Sequence, residues 1–346
     1  MNRTQVRSQH RHVKEQQVTR AERVCTPEFL NRYVRPHVNP AGAGAPGAPA
    51  GGTWTTHVIQ LDGSGAATVK INLDGGPPVF AKLFPFEDGP AVHAKLQALR
   101  NAGLGSGSPF QAVEPLAWYG DERVLLCQGA PGRALSEVFD DDAELTEGCV
   151  RAGSWLARLH KVDLRIGAPR SLLVTGELTS LAKRLVKVVA DQPGYADAAL
   201  GMLERLDGLT HDTVDGVLAQ SHGQYRPIHV FLTEKTVTVI DLDRSAPADP
   251  ARDVAEFLHR LRQGVYSATG DVSRADQPCS AFLGAYREEA GVERLRNLRF
   301  HWARYVLHSL NREVKSGDAD WRNGGNHVFR HYREEFYRVA EGRAGA

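Results

Sequence analysis

The residues best suited to chemistry in this chain lie between Ser221 and Phe257, in the stretch SHGQYRPIHVFLTEKTVTVIDLDRSAPADPARDVAEF. Polar side chains gather there at the ends of short apolar runs. His222-Gly223-Gln224-Tyr225-Arg226-Pro227 is polar and turn-prone. Ile228 to Leu232 is an apolar run interrupted by His229. Thr233-Glu234-Lys235 is a hairpin turn, and Thr236 to Leu242 alternates and is rich in β-branched residues, which predicts a strand. Residues two apart on a strand point to one side, so Asp241 and Asp243 are expected to share a face. Two adjacent carboxylates are not buried without a partner. Mg²⁺ takes one or two protein carboxylates and completes its shell with water and phosphates; a solvated strand end is the alternative. Asp249-Pro250 opens a helix through Asp253, Val254, Phe257 and Leu258, with Asp as cap and Pro in the first turn.

The elements that must position these groups are legible on either side. Upstream, Thr53 to Leu61, Ala67 to Leu73 and Pro78 to Phe84 read as three short antiparallel strands, with Asp62-Gly63-Ser64-Gly65 as the first turn. Lys82 lies inside the apolar run Val79 to Phe84, where a lysine snorkels or pairs; an edge-strand lysine facing solvent is the alternative. Gly89 to Gly103 is a predicted helix with Val92, Leu96 and Leu99 on one face. Glu114 to Tyr119 and Arg123 to Cys127 form a further strand pair, followed by Gln128-Gly129-Ala130-Pro131-Gly132. Asp140-Asp141-Asp142 and Glu144 form an acidic run, read as a solvated loop, with a substrate-binding patch as the alternative. Helices are expected over Cys149 to Leu164, Leu178 to Ala190, Ala196 to Leu206, Ala281 to Ala290, Glu293 to Lys315 and His327 to Ala340.

The ends and the bulk numbers narrow the class. Residues 1–24 carry six Lys/Arg against two Glu and read as a solvated basic tail. Thr26 to Val34 is a short helix capped by Thr26 and ended by Pro36, and Pro40 to Gly52 is a Pro/Gly/Ala-rich loop. The chain has 346 residues, 42% hydrophobic and 24% charged, enough for a sizeable core. A net charge of +1 gives no global field for nucleic acid or membrane. No apolar run reaches the roughly 18 residues of a membrane span. Four scattered cysteines in no metal-ligand spacing are expected to be reduced thiols, and a cytoplasmic location follows.

The central stretch resembles the catalytic segment of the aminoglycoside phosphotransferase-like kinases, a family that includes choline, homoserine and fructosamine kinases. The family's loop reads H-G-D-x-x-x-x-N, followed by a strand ending I-D-W or I-D-F and then D-P-x-x-D-L-A. His222, Gly223, Ile240, Asp241, Asp249, Pro250, Asp253 and Ala255 fall on this pattern. Gln224 stands where the family has its catalytic Asp, and His229 where it has a metal-binding Asn. Leu156 to His160 resembles the family's L-A-x-L-H.

The resemblance implies a protein-kinase-like α+β fold of two lobes. Its small lobe would be an antiparallel sheet over residues 53–128, and its helical lobe would span 129–346 with the catalytic-type hairpin at 221–243. Residues 1–52 precede both. It implies ATP and Mg²⁺ as cofactors and an unknown small-molecule substrate. Lys82 would hold the nucleotide phosphates, Gly63 and Gly65 would lie in a loop covering them, and Gln128 would lie in the hinge that meets the adenine. Asp241 would bind Mg²⁺, with Asp243 as a second contact and His229 at the remaining ligand position. His222 and Gln224 would form the catalytic loop. Kinases also pair the strand lysine with a helix Glu; the helix here has no acid, and Glu87 or Asp88 stands nearest. Gln224 has no basicity near neutral pH but can orient a hydroxyl. Two readings remain: a small-molecule phosphotransferase with an altered catalytic loop, or a catalytically inactive kinase-like protein that binds nucleotide or a metabolite.

Overall fold

The structure, a computed structural model, describes residues 18–38, 53–61, 67–74, 76–86, 88–170, 174–214 and 217–343. The chain divides into two compact units. The first comprises residues 1–131 with Thr238–Ile240, and the second residues 132–237 and 241–346.

The first unit is built on a five-stranded antiparallel sheet. Its strands are β1 (Trp54–Leu61), β2 (Ala67–Leu73), β3 (Val79–Leu83), β5 (Pro115–Tyr119) and β6 (Val124–Gln128), in the order β1-β2-β3-β6-β5. A short β4 (Phe110–Ala112) lies apart from it. Alternation sets the burial: Val69 and Ile71 on β2 and Val79, Ala81 and Leu83 on β3 face the core. The layer that covers this face comes from the N-terminal region. Residues 18–24 form helix α1, followed by α2 (Pro27–Phe29), a π-helical turn (Leu30–Val34) and a 3₁₀ turn (Arg35–His37). Thr26 Oγ1 caps α2 by accepting from the Phe29 N–H, as its sequence position predicts.

Residues 18–24 are therefore not part of a solvated tail. Ala21 and Val24, three apart, insert into the sheet's core, while Arg20 donates to the carbonyls of Phe84 and Glu122. The stripe is only two residues wide and is flanked by arginines, so composition hides it. Helix α3 (Gly89–Leu99) buries Val92, Leu96 and Leu99 as its periodicity predicts. The predicted loop 40–52 and the turn at Asp62 to Gly65 lie outside the described residues.

The second unit is mainly helical: α4 (Asp142–Lys161), α5 (Val174–Asp191), α6 (Ala196–Gly208), α7 (Ala251–Thr269), α8 (Asp276–Ala290), α9 (Leu298–Ser316) and α10 (His327–Ala340). Helix α4 packs on α8, and α9 packs on both α7 and α10. Gly153 permits the α4–α8 approach, since a Cβ there would lie 2.5 Å from the Phe282 carbonyl oxygen. Trp155, Tyr225, Phe257 and Phe282 form a stacked aromatic core with no exposed surface; each contributes roughly 1.5–3 kcal/mol of burial. Short strands thread between the helices: β7 (Arg133–Ala134), β8 (Ala219–Ser221), β9 (Val230–Leu232) and β11 (Ala246–Ala248); β10 (Val237–Val239) begins in this unit and ends in the first. β8 pairs with β11 and β7 with β9, so two short ladders bracket the 222–229 loop. Among the described residues no helix is long and apolar enough to cross a membrane.

Candidate active site

The 222–229 loop is fixed from beneath by one carboxylate. Asp253 sits in the first turn of α7 and is fully buried. Its Oδ2 accepts the His222 N–H at 2.5 Å and its Oδ1 the Gly223 N–H at 2.9 Å. His160 Nε2 approaches Oδ2 at 3.3 Å, and His160 Nδ1 pairs with the Tyr286 hydroxyl at 2.7 Å. Burial alone would raise the Asp253 carboxyl, but these hydrogen bonds and nearby imidazoles hold it below the usual carboxylate range. Asp249 repeats the device one turn earlier. It caps α7 through the Ala251 N–H at 2.9 Å and accepts from Asn297 Nδ2 at 2.7 Å.

Gly223 is required where it stands. Its φ is +88°, and a Cβ there would come within 2.5 Å of the Arg244 carbonyl oxygen. The bend leaves Gln224 half-buried at the loop's crest, its N–H directed at His222 Nδ1 at 3.3 Å. His222 itself is fully buried. Its ring lies edge-on to Trp155 and stacks on His229 with centroids 5.7 Å apart. Arg226 Nε donates to Glu256 Oε1 at 2.7 Å, and the Tyr225 hydroxyl donates to the Ala152 carbonyl.

The hairpin differs from the sequence expectation at its end. Strand β10 stops at Val239, Asp241 adopts the left-handed region (φ 64°, ψ 42°), and Asp243 lies in the 3₁₀ turn Leu242–Arg244. The rule that residues two apart share a strand face therefore does not apply to Asp241 and Asp243. A non-glycine residue at positive φ is uncommon, Asp tolerates it better than most, and such positions cluster at functional sites.

That turn brings Asp241 Oδ2 to 3.5 Å from His229 Nε2. His229 Nδ1 is 2.9 Å from the Gln224 carbonyl, which can only accept, so the proton is on Nδ1. Burial, then the neighbouring His222, push the His229 imidazole down to about 4. At neutral pH an unprotonated ring nitrogen thus faces a carboxylate oxygen, an arrangement a cation relieves. No group of three or more His, Cys, Asp or Glu among the described residues could hold a metal by itself. The donor set fits an ion that draws its remaining ligands from phosphates, with imidazole a poorer donor for Mg²⁺ than for softer metals.

The other predicted residues lie in the first unit. Lys82 is on β3, the central strand of its sheet, so it is not an edge-strand residue. Alternation puts it on the face opposite the core, paired in register with Thr68 and Leu125. The Gln128 N–H donates to the Glu114 carbonyl at 2.9 Å and the Gly129 N–H to the Pro78 carbonyl at 2.7 Å. Gly63, Gly65 and Glu87 lie outside the described residues, and Asp88 is the exposed residue preceding α3. The acidic run in the second unit is exposed and partly paired. Asp141 caps α4, Asp142 pairs with Arg274 at 2.8 Å, and Glu144 pairs with Arg133 at 3.2 Å.

One feature of the second unit had no sequence signal. A cavity of about 210 Å³ opens beside Gly223 and Gln224, with seven arginines and two glutamates on its wall. The arginines are spread from Arg170 to Arg304 and come from α5, α7, α9 and three loop or turn segments, so no window of sequence shows them together.

A family model described as the phosphotransferase enzyme family matches residues 58–298. The chain belongs to this family. Solved structures agree in fold. A thermostable mutant of the aminoglycoside phosphotransferase APH(4)-Ia superposes with a TM-score of 0.56 at 15% identity, covering 84% of this chain and 96% of that one. Choline kinase from Cryptosporidium parvum gives 0.56 at 11% identity, covering 92% and 94%. ADP-bound aminoglycoside phosphotransferase APH(2'')-Ib gives 0.53 at 13% identity, covering 91% and 97%. Among curated proteins no sequence matches this one. The chain thus has the two-lobed kinase-like α+β fold that the central motifs imply, with an antiparallel-sheet lobe and a helical lobe.

Proposed function

We propose that this protein transfers a phosphoryl group from ATP to the hydroxyl of a small molecule, using a catalytic loop whose usual base is replaced by Gln224. The observation that carries the reading is the intact mounting of that loop. Asp253 holds the His222 and Gly223 amides, and Asp241 sits in a left-handed turn beside His229. In the transfer the bond from the γ-phosphorus to its bridging oxygen breaks, a bond to the acceptor oxygen forms, and the hydroxyl proton leaves to solvent.

The chain's own groups divide the work. Lys82 is assigned the nucleotide phosphates, and Asp241, with His229 and Asp243 as further contacts, is assigned Mg²⁺. The ion, when bound, neutralises charge on the transferring phosphates. Gln224 orients the acceptor hydroxyl through its amide oxygen, and His222, buried beneath it, positions the loop. The second reading, an inactive nucleotide-binding protein, is favoured by one specific observation. No carboxylate stands at Gln224, and general-base catalysis is worth roughly 10²–10⁴-fold.

Mg²⁺-ATP binding tests the common part of both readings. A ligand at about 100 times its Kd adds about 2.7 kcal/mol, which should raise the Tm by several degrees. Asp241→Asn should abolish the Mg²⁺-dependent part of the shift. The absence of any shift at millimolar nucleotide, with or without Mg²⁺, would remove both.

A further inference from the structure

The wall of the cavity beside Gln224 is electrostatically unbalanced. Three helices and three loop or turn segments build it, and its acids are already committed. Glu177 on α5 pairs with Arg252 and, at 3.3 Å, with Arg304; Glu256 on α7 pairs with Arg226 at 2.7 Å. Arg170, Arg184, Arg244 and Arg260 line the same space. Three of them donate to neutral groups: Arg170 to the Arg244 carbonyl, Arg184 to His308 Nε2, and Arg260 to Gln263 Oε1.

A second observation concerns the wall itself. Arg304 is 9% exposed, and its Nε and Nη2 have no hydrogen-bond partner among the described residues. Arg260 Nε is likewise buried without one. Buried guanidinium N–H groups without acceptors are costly, and native proteins satisfy them with solvent or a ligand. Arg304 is held in place by Glu177 and by the Tyr305 ring, 4.2 Å beneath its guanidinium. Its guanidinium is therefore fixed rather than mobile. His308, on the same wall, is kept unprotonated by burial and by Arg184 and Arg304.

We propose that this cavity binds an oxyanion carried by the phosphoryl acceptor, so that the substrate is a small hydroxylated phosphate ester or carboxylate and not an amine. The planar guanidinium fork suits both groups. An amine would meet uncompensated positive charge here. The inference rests on the phosphotransferase reading for the word substrate, but the anion site stands on its own geometry.

The test is calorimetric titration of the full chain without nucleotide, using inorganic phosphate, glycerol 3-phosphate, glycerate, choline and kanamycin. Phosphate and at least one of the two anionic hydroxyl compounds should bind, the preferred one separating phosphate ester from carboxylate, while choline and kanamycin should not. Arg304→Met, Arg184→Leu and Arg244→Leu should each raise the Kd for phosphate roughly tenfold, the range of a charge-assisted hydrogen bond. Arg184 and Arg244 are exposed, so their variants keep the test open should Arg304→Met fail to fold. Amine binding in place of anion binding, or phosphate affinity unchanged in all the variants that fold, would overturn the proposal. Anion binding without ATP consumption, in wild type and in Gln224→Asp alike, would leave it standing and count against the kinase reading. Turnover of an amine substrate would do the reverse.

Discussion

The loop at 222–226 has two sides, and they are built on opposite principles. On one side, Asp253, His160 and Tyr286 form a buried chain that closes on the loop's own amides. On the other side, seven arginines meet two glutamates across a cavity, and donor atoms of Arg260 and Arg304 have no acceptor among the described residues. Both sides touch Gly223, whose N–H goes to Asp253 and which also borders the cavity. A satisfied network rigidifies what it holds. An unsatisfied one gives up stability, and folded proteins do that where a ligand restores the balance. The asymmetry separates the part of the site that is scaffold from the part that meets a molecule.

The largest effect should come from breaking the satisfied side. Asp253→Ala would leave His160 and two amides buried without their acceptor, at a cost of about 3–5 kcal/mol. Urea denaturation measures it. Since Asp253 is held below its unfolded value of about 3.9, its contribution is complete above that pH and is lost in stronger acid. Arg304→Met should by contrast change stability by less than about 1 kcal/mol, because the variant also removes two unsatisfied donors. Equal losses in the two variants would erase the distinction between the sides.

Next in size is the exchange at the crest. Gln224→Asp supplies a carboxylate where the proposed phosphotransferase lacks its base. It should raise ATP consumption in the presence of acceptor by about 100-fold, the lower end of what a general base supplies. His229→Asn, added to it, replaces imidazole with an amide oxygen better suited to Mg²⁺ and should lower the Mg²⁺ concentration needed. Turnover at background in the double variant, across phosphate esters, carboxylates, sugars and amino alcohols, would favour the inactive binding protein.

How much of this was legible in the sequence divides along the same line. The scaffold side was readable because its parts are local or carried by motif. Asp249 and Asp253 sit in one helix start, and His222-Gly223 marks one turn, so spacing alone implied the loop and the family motifs implied the fold. The sheet was readable from alternation in β2 and β3. The left-handed Asp241 was not. Alternating β-branched residues continue through Ile240, and nothing in their order says that the ladder stops at Val239. The packing of Ala21 and Val24 was hidden because a two-residue stripe among arginines has the composition of a tail. The cavity was illegible for a deeper reason. Its arginines are separated by up to 134 positions and are gathered by helix packing, while the net charge of +1 averages them against acids elsewhere.

The smallest expected effect concerns His308, the titratable group on the cavity wall. Burial and the positive charges of Arg184, Arg304, Arg312 and Arg260 bring its imidazole down to about 4. The hydrogen bond from Arg184 to its Nε2 at 3.3 Å also requires that nitrogen to be unprotonated. The unfolded chain takes up this proton near pH 6.5 and the folded one only near 4. Stability from this group is therefore fully present above about 6.5, falls as pH drops toward 4, and levels there. A full shift of that size would be about 3 kcal/mol, but the ring is partly solvated, and about 1 kcal/mol is the expected share. Melting curves between pH 4 and 7 should show wild type losing about 1 kcal/mol more than His308→Asn over this range. The comparison sharpens when an anion is present. Sulfate in the cavity would offset the arginines, raise the imidazole's affinity for a proton and shrink the difference between the two proteins. A gap that sulfate leaves unchanged would mean that His308 does not feel the charge of whatever the cavity holds.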